Sequence, residues 1–457
     1  MVAAGIVRCL HAALVGGVLF ATPIIVEAAG KPNVVVFYMD DLAYADPGCY
    51  GGTLTPTPNI DALAKNGVRF TDGYVSACVC GPSRVGLMTG RYQARFGLDS
   101  NGGKQGRDLP ADEKTIAHRM KEAGYTCGIV GKWHLGSSSP EFLPPNRGFD
   151  FAVGSVGNLG EGGEKTGFFR GDKLMATIEG APVTSPPYAR EACGFIDAHR
   201  EQPFFLYLAF NAVHNPNVAS DEVLQRFPKL SKHQLAYAAN FAEADDAVGT
   251  VMSKLRSLGL EENTLVFFIS DNGGSSPFAF YDGLRGSKWY LWEGGVRVPW
   301  IVQWKGRIPG GRVVSEPVIQ LDVLPTALAA AGREAPADAQ LDGVNLLPLL
   351  TGETANLPER PLFFRFGVQY AVRSGDWKLV KASLAMEPAL FNLASDKGEQ
   401  TDLAKSSPEK FQELQATYDR WNATMKPALW EERRSHGDEE SKDKRKARKK
   451  AKAKAAE

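Results

Sequence analysis

The sequence predicts an α/β fold in which a large, mostly parallel β-sheet is sandwiched by helices and followed by a smaller C-terminal α+β subdomain. From Lys31 onward, short runs rich in Val, Ile, Phe and Tyr alternate with amphipathic helical stretches. This is the pattern of a parallel sheet covered on both faces. Polar clusters follow several of these runs directly. Beyond residue 360 the pattern changes to short strands joined by tight turns, which predicts the smaller unit.

Four strands of the large domain are the clearest, at residues 33–39, 125–130, 204–209 and 264–270. Helices are predicted between and after them, at residues 60–66, 115–123, 234–258 and 320–331. The carboxyl ends of the strands in an open α/β sheet form the ligand crevice. The polar residues that follow the four strands are therefore expected to converge.

The domain limits follow from these elements. We predict a catalytic domain at residues 31–345 and a C-terminal subdomain at 346–430. The subdomain is expected to hold a small antiparallel sheet and one helix, with strands at 361–365, 369–374 and 377–381 and the helix at 408–421.

Residues 1–28 are predicted to be a secretory signal peptide. A basic start is followed by an apolar stretch that Gly16 and Pro23 interrupt, and small residues such as Ala28 stand near its end. This stretch is short for a membrane span, although an N-terminal anchor helix is the alternative. We therefore expect an exported protein, periplasmic or secreted. The 44% hydrophobic composition excludes a disordered chain.

The end of the chain, residues 431–457, is a charged, Lys-rich segment that we predict to be disordered. Between residues 442 and 454 there are nine Lys or Arg against one Asp, a net charge of +8, while the whole chain is neutral. Such a segment is either a plain solvated end or a contact for polyanions such as sulfated polysaccharide. No specific nucleic-acid partner is expected.

Asp40-Asp41 and Asp271-Asn272 each follow a buried strand and form a candidate metal site. Free carboxylates are costly to bury, so a cation is their natural partner. Hard oxygen ligands favour calcium or magnesium over zinc, and we expect one calcium ion rather than magnesium. A single Asp-Asp pair is more often a helix cap or part of a turn. The metal site is favoured because a second polar cluster, Asp271-Asn272, follows another strand.

Residues 80–91 read Cys-Gly-Pro-Ser-Arg-Val-Gly-Leu-Met-Thr-Gly-Arg. This segment resembles the signature of the sulfatase family, Cys-x-Pro-Ser-Arg followed by Leu-x-Thr-Gly-Arg. The resemblance implies an alkaline phosphatase-like fold and an arylsulfatase-like sulfuric ester hydrolase that binds a divalent cation. It also implies that a maturation enzyme oxidises Cys80 to formylglycine (3-oxoalanine), an aldehyde that hydrates to a gem-diol.

The resemblance extends in order through nearly the whole mature chain. Further matching segments are 131–136 (Gly-Lys-Trp-His-Leu-Gly), 214–216 (His-Asn-Pro), 284–288 (Leu-Arg-Gly-Ser-Lys) and 293–299 (Glu-Gly-Gly-Val-Arg-Val-Pro). Two positions depart from the family pattern. Gly81 stands where Ser, Thr or Ala is frequent, and Ser287 stands where Gly is common; neither departure removes a reacting group.

The resemblance also implies a ligand set and a reaction. The cation is held by the formylglycine at position 80 with Asp40, Asp41, Asp271 and Asn272. One diol oxygen attacks sulfur and the alcohol leaves. The sulfated diol then collapses to the aldehyde and expels sulfate, an exit that a plain Ser or Cys lacks.

Five further side chains take roles by the same resemblance. Arg84 and Lys132 fix and charge-stabilise the formylglycine. His134 takes the proton from the remaining hydroxyl in the collapse step. His214 and Lys288 hold the sulfate and assist the leaving oxygen as donor acids.

Taken alone, several of these residues have plainer explanations. A single His is more often a satisfied core or surface residue than a catalytic one, and single Lys residues are mostly surface charges. Cys78 and Cys80 resemble a metal-binding pair, but no partner pair has zinc spacing. The other cysteines of the mature chain are expected to be core residues or to form a disulfide: Cys49, Cys127 and Cys193.

The substrate is expected to be a carbohydrate sulfate, with an aryl sulfate as the alternative. Specificity is expected in the loops at 99–107, 137–147 and 158–167, and in Trp289, Tyr290 and Trp292, which either stack on a substrate ring or pack internally. Two other functions stay open: a phosphodiesterase or phosphonate hydrolase of the same superfamily, and a non-catalytic protein that binds sulfated glycans.

Overall fold

The computed structural model describes Met1 and residues 30–101, 108–159, 167–175 and 185–429. The predicted signal peptide, except Met1, and the Lys-rich tail lie outside the described residues. So do most of the predicted specificity loops at 99–107 and 158–167. In the part of the chain that is described, no helix is both long and apolar enough to cross a membrane.

The strands, in chain order, are β1 (Asn33–Met39), β2 (Val68–Phe70), β3 (Gly73–Tyr74), β4 (Thr126–Gly131), β5 (Phe151–Ser155), β6 (Phe168–Arg170), β7 (Lys173–Met175), β8 (Phe204–Ala209), β9 (Thr264–Ser270), β10 (Trp300–Gln303), β11 (Arg312–Val314), β12 (Val318–Ile319), β13 (Leu362–Phe366), β14 (Gln369–Ser374), β15 (Trp377–Lys381) and β16 (Ala389–Asn392). The helices are α1 (Pro58–Lys65), α2 (Cys80–Thr89), α3 (Ile116–Glu122), α4 (Ser185–Ala198), α5 (Asp221–Leu224), α6 (Lys232–Ser257), α7 (Glu293–Val296), α8 (Val323–Ala330), α9 (Leu347–Thr351) and α10 (Pro408–Asn422).

Within the described residues, the large sheet has ten strands in the order β11-β2-β10-β9-β1-β8-β4-β5-β6-β7. Its centre, from β9 to β5, is parallel, as predicted. The sheet is mixed towards its edges, because β10 runs antiparallel to β9 and β2, and β6 and β7 run antiparallel to their neighbours. Tyr38 pairs with both Ala209 and Ile269, so the central strands end at the same level.

The side chains of β1 alternate between two apolar layers, as the two-residue period of a strand requires. Val34, Val36 and Tyr38 belong to the core beneath α2, α3 and α8. Val35, Phe37 and Met39 belong to the core beneath α1, α4 and α6. Helices therefore cover both faces of the sheet, and the predicted fold class is confirmed.

The C-terminal part forms an antiparallel sheet in the order β13-β14-β15-β16, with α10 packed against β14 and β15. Its core includes Leu390 and Tyr418 together with Tyr74, Leu291 and Val296 of the large domain. The small sheet is thus joined to the segment around residues 291–296 by a shared apolar core.

One predicted helix starts later than expected. Residues 320–331 were predicted as one helix, but Gln320–Asp322 form a 3₁₀ turn and α8 begins at Val323. Pro325 has no N–H to donate to the carbonyl of residue 321, so a regular α-helix is interrupted at that point.

Candidate active site

The polar residues that follow the central strands lie together at one edge of the sheet. Asp40 and Asp41 follow β1, Lys132 follows β4, and Asp271 follows β9. The Nζ of Lys132 lies 2.6 Å from Asp40 Oδ2, and the backbone N–H of Asp41 donates to Asp271 Oδ1 at 3.1 Å. The level ends of the parallel strands bring these side chains within hydrogen-bonding distance.

Cys80 is the first residue of α2 and is fully buried. The helix tolerates Pro82 because the first turn needs no intrahelical N–H donor, and it ends at Gly90, which has φ +64°. The Sγ of Cys80 lies 3.2 Å from Lys288 Nζ and 3.9 Å from Asp41 Oδ1. Burial raises the pKa of the thiol to about 12, although Lys132 and Lys288 oppose the shift. The unmodified side chain is therefore a neutral thiol at pH 7.

Arg84 lies one helical turn after Cys80, on the same face of α2. Its guanidinium donates to Asp271 Oδ2, to the carbonyl of Lys132 at 3.2 Å and to the hydroxyl of Tyr207 at 3.1 Å. The side chain is completely buried. Arg84 thus joins α2 to the ends of β4, β8 and β9.

Two buried lysines neutralise the carboxylates of Asp40 and Asp41. Burial alone would raise the pKa of Asp40, but Lys132, with His214 and Arg84, outweighs it and holds this pKa well below its usual value. Lys288 contacts both oxygens of Asp41, at 2.6 and 2.8 Å.

The position of Lys132 depends on the residue before it, Gly131, whose backbone lies very close to β8. Gly131 has φ +109°, and a Cβ there would lie 1.8 Å from the carbonyl oxygen of Ala209. Only glycine fits this crossing. The glycine before Lys132 is therefore required by the fold.

Both predicted histidines lie at the site, in different environments. His134 is buried, has φ +61° and lines the same small cavity as Gly81 and Pro82. His214 is partly exposed and its Nε2 lies 3.8 Å from Asp41 Oδ2. Burial lowers the pKa of His214, while Asp40 and Asp41 oppose the shift.

The buried oxygens of this cluster fit a hard cation. Side-chain atoms of Asp40, Asp41, Cys80 and Asp271 all lie within 4.8 Å of one another. Asp40 Oδ1 and Asn272 Oδ1 are buried and accept no hydrogen bond, an arrangement that is costly unless a cation or another donor is present. Burial, followed by the charge of Asp40, raises the pKa of Asp271. The donor set is the one expected for calcium or magnesium.

Three residues that the sequence analysis did not name also contact this site. Asn101 Oδ1 accepts the backbone N–H of Gly81 at 2.8 Å, and a Cβ on Gly81 would lie 3.1 Å from that oxygen. The hydroxyl of Ser275 donates to Asp41 Oδ2 at 2.7 Å, and Tyr207 accepts from Arg84. Tyr207 lies in an apolar strand and Ser275 in a loop, so no local pattern marks them. Asn101 lies in the loop at 99–107, where the sequence analysis expected a role in specificity and not a contact with Gly81.

Packing answers the open alternatives for Trp292 and for the cysteines, while Trp289 and Tyr290 are only partly buried. The ring of Trp292 is buried, with Phe391 at 5.8 Å and the guanidinium of Arg285 at 3.8 Å from the ring centre, and Trp289 and Tyr290 pack against the same subdomain core. In the described residues no disulfide joins the cysteines, so Cys49, Cys127 and Cys193 are not in the predicted disulfide.

Comparison with known proteins gives two family matches and many relatives. Residues 32–333 match a family model described as Sulfatase, and residues 279–423 match one described as N-sulphoglucosamine sulphohydrolase, C-terminal. Arylsulfatase A of Homo sapiens is 35% identical, with 90% of each chain covered. N-acetylgalactosamine-6-sulfatase of Canis lupus familiaris is 34% identical, over 77% of this chain and 72% of that protein. A crystal structure of Ps i-CgsB in complex with k-i-k-neocarrahexaose has a TM-score of 0.81 and 33% identity, and the match covers 88% of this chain and 95% of that one.

Proposed function

Because the chain belongs to the sulfatase family and is a sulfuric ester hydrolase, we propose that it hydrolyses sulfate monoesters through a formylglycine at position 80. The observation that carries this proposal is the position of Cys80. It is buried at the start of α2, 3.2 Å from the ammonium of Lys288 and beside three aspartates. Its Sγ stands where an oxygen of the formylglycine hydrate would lie.

The protonation state of Cys80 supports the need for modification. A thiol is a strong nucleophile only as thiolate, and a pKa of about 12 leaves Cys80 protonated at neutral pH. A hydrated aldehyde offers two hydroxyls instead. One attacks sulfur as the bond to the alcohol oxygen breaks, and the other loses its proton when the C=O bond re-forms and sulfate leaves.

The side chains around position 80 supply the charges and proton carriers for these steps. Arg84 and Lys132 hold the polar groups of the site in place, and His134 accepts the proton that the collapse releases. Lys288 and His214 both contact Asp41, Lys288 from a buried position and His214 from a partly exposed one, and we assign them to the sulfate oxygens and to the leaving oxygen. The Nδ1 of His214 donates to the carbonyl of Asn215 at 2.7 Å, so in the neutral ring Nε2 is the acceptor nitrogen. The assignment of His214 as donor acid through Nε2 therefore requires a second proton in the substrate complex.

Asp40, Asp41, Asp271 and Asn272, with residue 80, would hold one calcium ion, because they present only hard oxygen donors. When bound, such an ion polarises the sulfate ester and lowers the pKa of an oxygen nucleophile that contacts it. The side chains of this cluster are balanced without the ion, since three carboxylates face three cations: Asp40, Asp41 and Asp271 against Arg84, Lys132 and Lys288. A divalent ion gives the site a net positive charge that suits an anionic sulfate ester.

We propose a carbohydrate sulfate as the substrate. N-acetylgalactosamine-6-sulfatase and the protein bound to k-i-k-neocarrahexaose are similar over most of their length. Arylsulfatase A is similar as well, so aryl sulfates are expected to serve as assay substrates. A sulfated sugar library tested beside nitrophenyl sulfate decides between a sugar and an aryl preference.

The remaining proposals concern the cell. We propose export after removal of residues 1–28, maturation by a formylglycine-generating enzyme, and a polyanion contact through the tail at 431–457. Within the mature chain, we propose a division into a catalytic domain at residues 31–345 and a C-terminal subdomain at residues 346–430. Removal of residues 442–457 should leave the turnover of a small sulfate unchanged, and a collapse in rate would contradict a purely tethering tail.

The formylglycine proposal is tested by the accurate mass of the peptide that carries position 80, from protein produced with a maturation enzyme. Conversion of CH₂SH to CHO lowers the mass by about 18 Da. The C80A variant should keep the fold and lose the hydrolysis of nitrophenyl sulfate. Active protein in which Cys80 is unmodified would contradict the mechanism.

The phosphodiesterase or phosphonate hydrolase alternative is tested by turnover of bis-nitrophenyl phosphate against nitrophenyl sulfate. We expect the sulfate to be preferred. A preference for the phosphate diester would reverse the assignment of substrate class while leaving the nucleophile in place. The non-catalytic alternative is not supported, since relatives that are 34–35% identical over most of their length are sulfatases.

A further inference from the structure

The backbone that carries Lys288 has no regular secondary structure. Residues 284–292 lie between the loop after β9 and the short helix α7, and no helix or strand bond fixes them. The position of the Lys288 ammonium, 2.6 Å from Asp41 and 3.2 Å from Cys80, therefore depends on tertiary contacts of this segment.

The residue after Lys288 is held in an unfavourable conformation. Trp289 has φ +78°, a left-handed backbone that a bulky L-residue rarely adopts. On the side of the large domain, Lys288 N donates to the carbonyl of Gly274 at 2.9 Å and Trp289 N donates to that of Cys78 at 3.0 Å. A strained turn of this kind persists only when its surroundings fix it from several sides.

The opposite side of the turn is fixed by one side chain of the C-terminal subdomain. The Nε2 of Gln369 donates to the carbonyl of Trp289 at 2.9 Å, and its Oε1 accepts the N–H of Leu291 at 3.2 Å. Gln369 is the first residue of β14 and is almost completely buried, with 1% of its surface exposed. The amide thus pairs with two backbone groups of the turn as a neighbouring strand would.

We propose that Gln369 is a positioning residue for Lys288: its amide holds the backbone at Trp289 and Leu291, and this places the ammonium between Asp41 and residue 80. The inference rests on the proposed role of Lys288 towards the sulfate and the leaving oxygen. Gln369 acts through the backbone and has no contact with the reacting groups. Through Gln369, the C-terminal subdomain therefore affects the rate of sulfate ester hydrolysis.

The same turn packs against the subdomain through its ring. Trp289 lies 6.1 Å from the ring of Phe366, the last residue of β13, and its ring centre lies 5.7 Å from Lys288 Nζ. The apolar contact restricts the ring, while the amide of Gln369 makes two hydrogen bonds to the backbone of the turn, at Trp289 and Leu291. Removal of the amide should therefore shift the turn without unfolding the sheet beneath it.

The experiment compares Q369M, which keeps the volume and loses both hydrogen bonds, with wild-type protein matured to the same formylglycine content. Each is measured alone and combined with K288A, using nitrophenyl sulfate and phenyl sulfate, whose leaving group is poorer. The control is Y370F, in the next residue of β14, which loses one hydrogen bond to Gln415 inside the subdomain. Q369N, which keeps an amide that is too short to reach both partners, serves if Q369M does not fold.

We expect Q369M to lower kcat by roughly 10- to 100-fold, as misplacement of a catalytic group by a fraction of an ångström does. The loss should be larger for phenyl sulfate than for nitrophenyl sulfate, and we expect the same order for K288A. In the K288A background, the Q369M change should have almost no further effect. Y370F should keep the wild-type kcat.

Several results would overturn the inference, in different ways. If K288A lowers turnover but Q369M and Q369N do not, or if their losses multiply with that of K288A, Gln369 does not act through Lys288. If K288A itself has full activity, the proposed role of Lys288 fails, and the inference fails with it. A lower melting temperature with unchanged kcat would assign Gln369 to stability alone.

Discussion

The guanidinium of Arg84 contacts Asp271 through Nε at 3.0 Å and Nη2 at 2.7 Å, and both bonds reach the same carboxylate oxygen. The other oxygen of Asp271 accepts the backbone N–H of Asp41. A single buried carboxylate thus joins helix α2, which begins at Cys80, to the loop that follows β1. The candidate nucleophile and the candidate metal ligands are fixed relative to one another by this pair.

The first prediction concerns R84K. A lysine keeps the charge, but its single ammonium cannot reach Asp271, the carbonyl of Lys132 and Tyr207 together. We expect a loss of about 1–3 kcal/mol in the free energy of unfolding, because buried partners are left without hydrogen bonds. Turnover of nitrophenyl sulfate should fall by about 10²-fold. Urea unfolding and kcat per formylglycine measure the two effects.

R256K is the matched control for this exchange. Arg256 pairs with Glu261 at a largely exposed position, where the same substitution should change stability by less than about 1 kcal/mol. If R84K has the same free energy of unfolding and the same kcat as the wild type, the contact between Arg84 and Asp271 contributes to neither stability nor turnover.

The second prediction concerns the cation. Calcium should raise the melting temperature of the chelator-treated protein and restore its activity, with a stabilisation of about 2.7 kcal/mol at 100 times the Kd. N272A should lose most of this calcium-dependent shift, because Asn272 Oδ1 is one of the buried oxygens without a hydrogen bond. Differential scanning calorimetry over a calcium series measures the shift.

N240A controls for the loss of a buried amide. Asn240 is also buried and its Oδ1 also accepts no hydrogen bond, but the residue lies in α6. N240A should keep the full calcium-dependent shift. An equal shift in N272A and N240A would remove Asn272 from the ligand set.

The central strands could be predicted from the sequence because they are apolar along their whole length. β1, β8 and β9 have the predicted bounds, and β4 begins one residue later than predicted. The edge strands gave no such signal: β7 and β11 are each three residues long, β7 is exposed along its whole length and β11 is only partly buried. Short strands at the edge of a sheet lack both the length and the burial pattern from which a strand is recognised.

The residues of the site that carry motifs could be named from the sequence, but their supports could not. Asp40, Lys132 and Asp271 stand directly after apolar runs, at the edge where ligands bind in such sheets. Tyr207 is 123 residues from Arg84, and Gln369 is 80 residues from Trp289. Such contacts depend on how the two chain segments pack, and no local pattern reports them.

The third prediction concerns the buried ion group that joins the subdomain to the large domain. Lys378 lies 2.8 Å from Glu293 and 2.9 Å from Glu399, and all three side chains are fully buried. K378M leaves Glu399 without its cation and takes one cation from Glu293, which keeps Arg297, so we expect a loss of about 3–5 kcal/mol in the free energy of unfolding. Denaturant unfolding of the variant measures this loss.

The double variant K378M/E399Q tests the cause. Removing one carboxylate charge should recover part of the stability, because fewer uncompensated charges remain buried. K381M, at the other end of β15, controls for loss of a lysine from the same strand. If K378M is as stable as K381M, the ion group does not hold the junction.

The fourth prediction concerns the pH dependence of stability at α1. Asp245 of α6 accepts the backbone N–H groups of Asn59 and Ile60 in the first turn of α1. Burial raises the pKa of Asp245 to about 6 in spite of these bonds. The folded protein therefore binds this proton more tightly than the unfolded chain does, so ionisation of Asp245 lowers stability.

The sign of the effect follows from linkage. The penalty is absent below the unfolded pKa of about 3.9, grows as pH rises through about 6, and is constant above that. D245N cannot ionise, so its stability relative to the wild type should increase by on the order of 2–3 kcal/mol between about pH 4 and about pH 7. Urea unfolding at several pH values measures the difference. D246N, which changes the next residue of the same helix, is the control: the pH dependence of its stability relative to the wild type is subtracted from that of D245N. A difference between D245N and wild type that does not change with pH would mean that Asp245 is ionised in the folded protein at no cost.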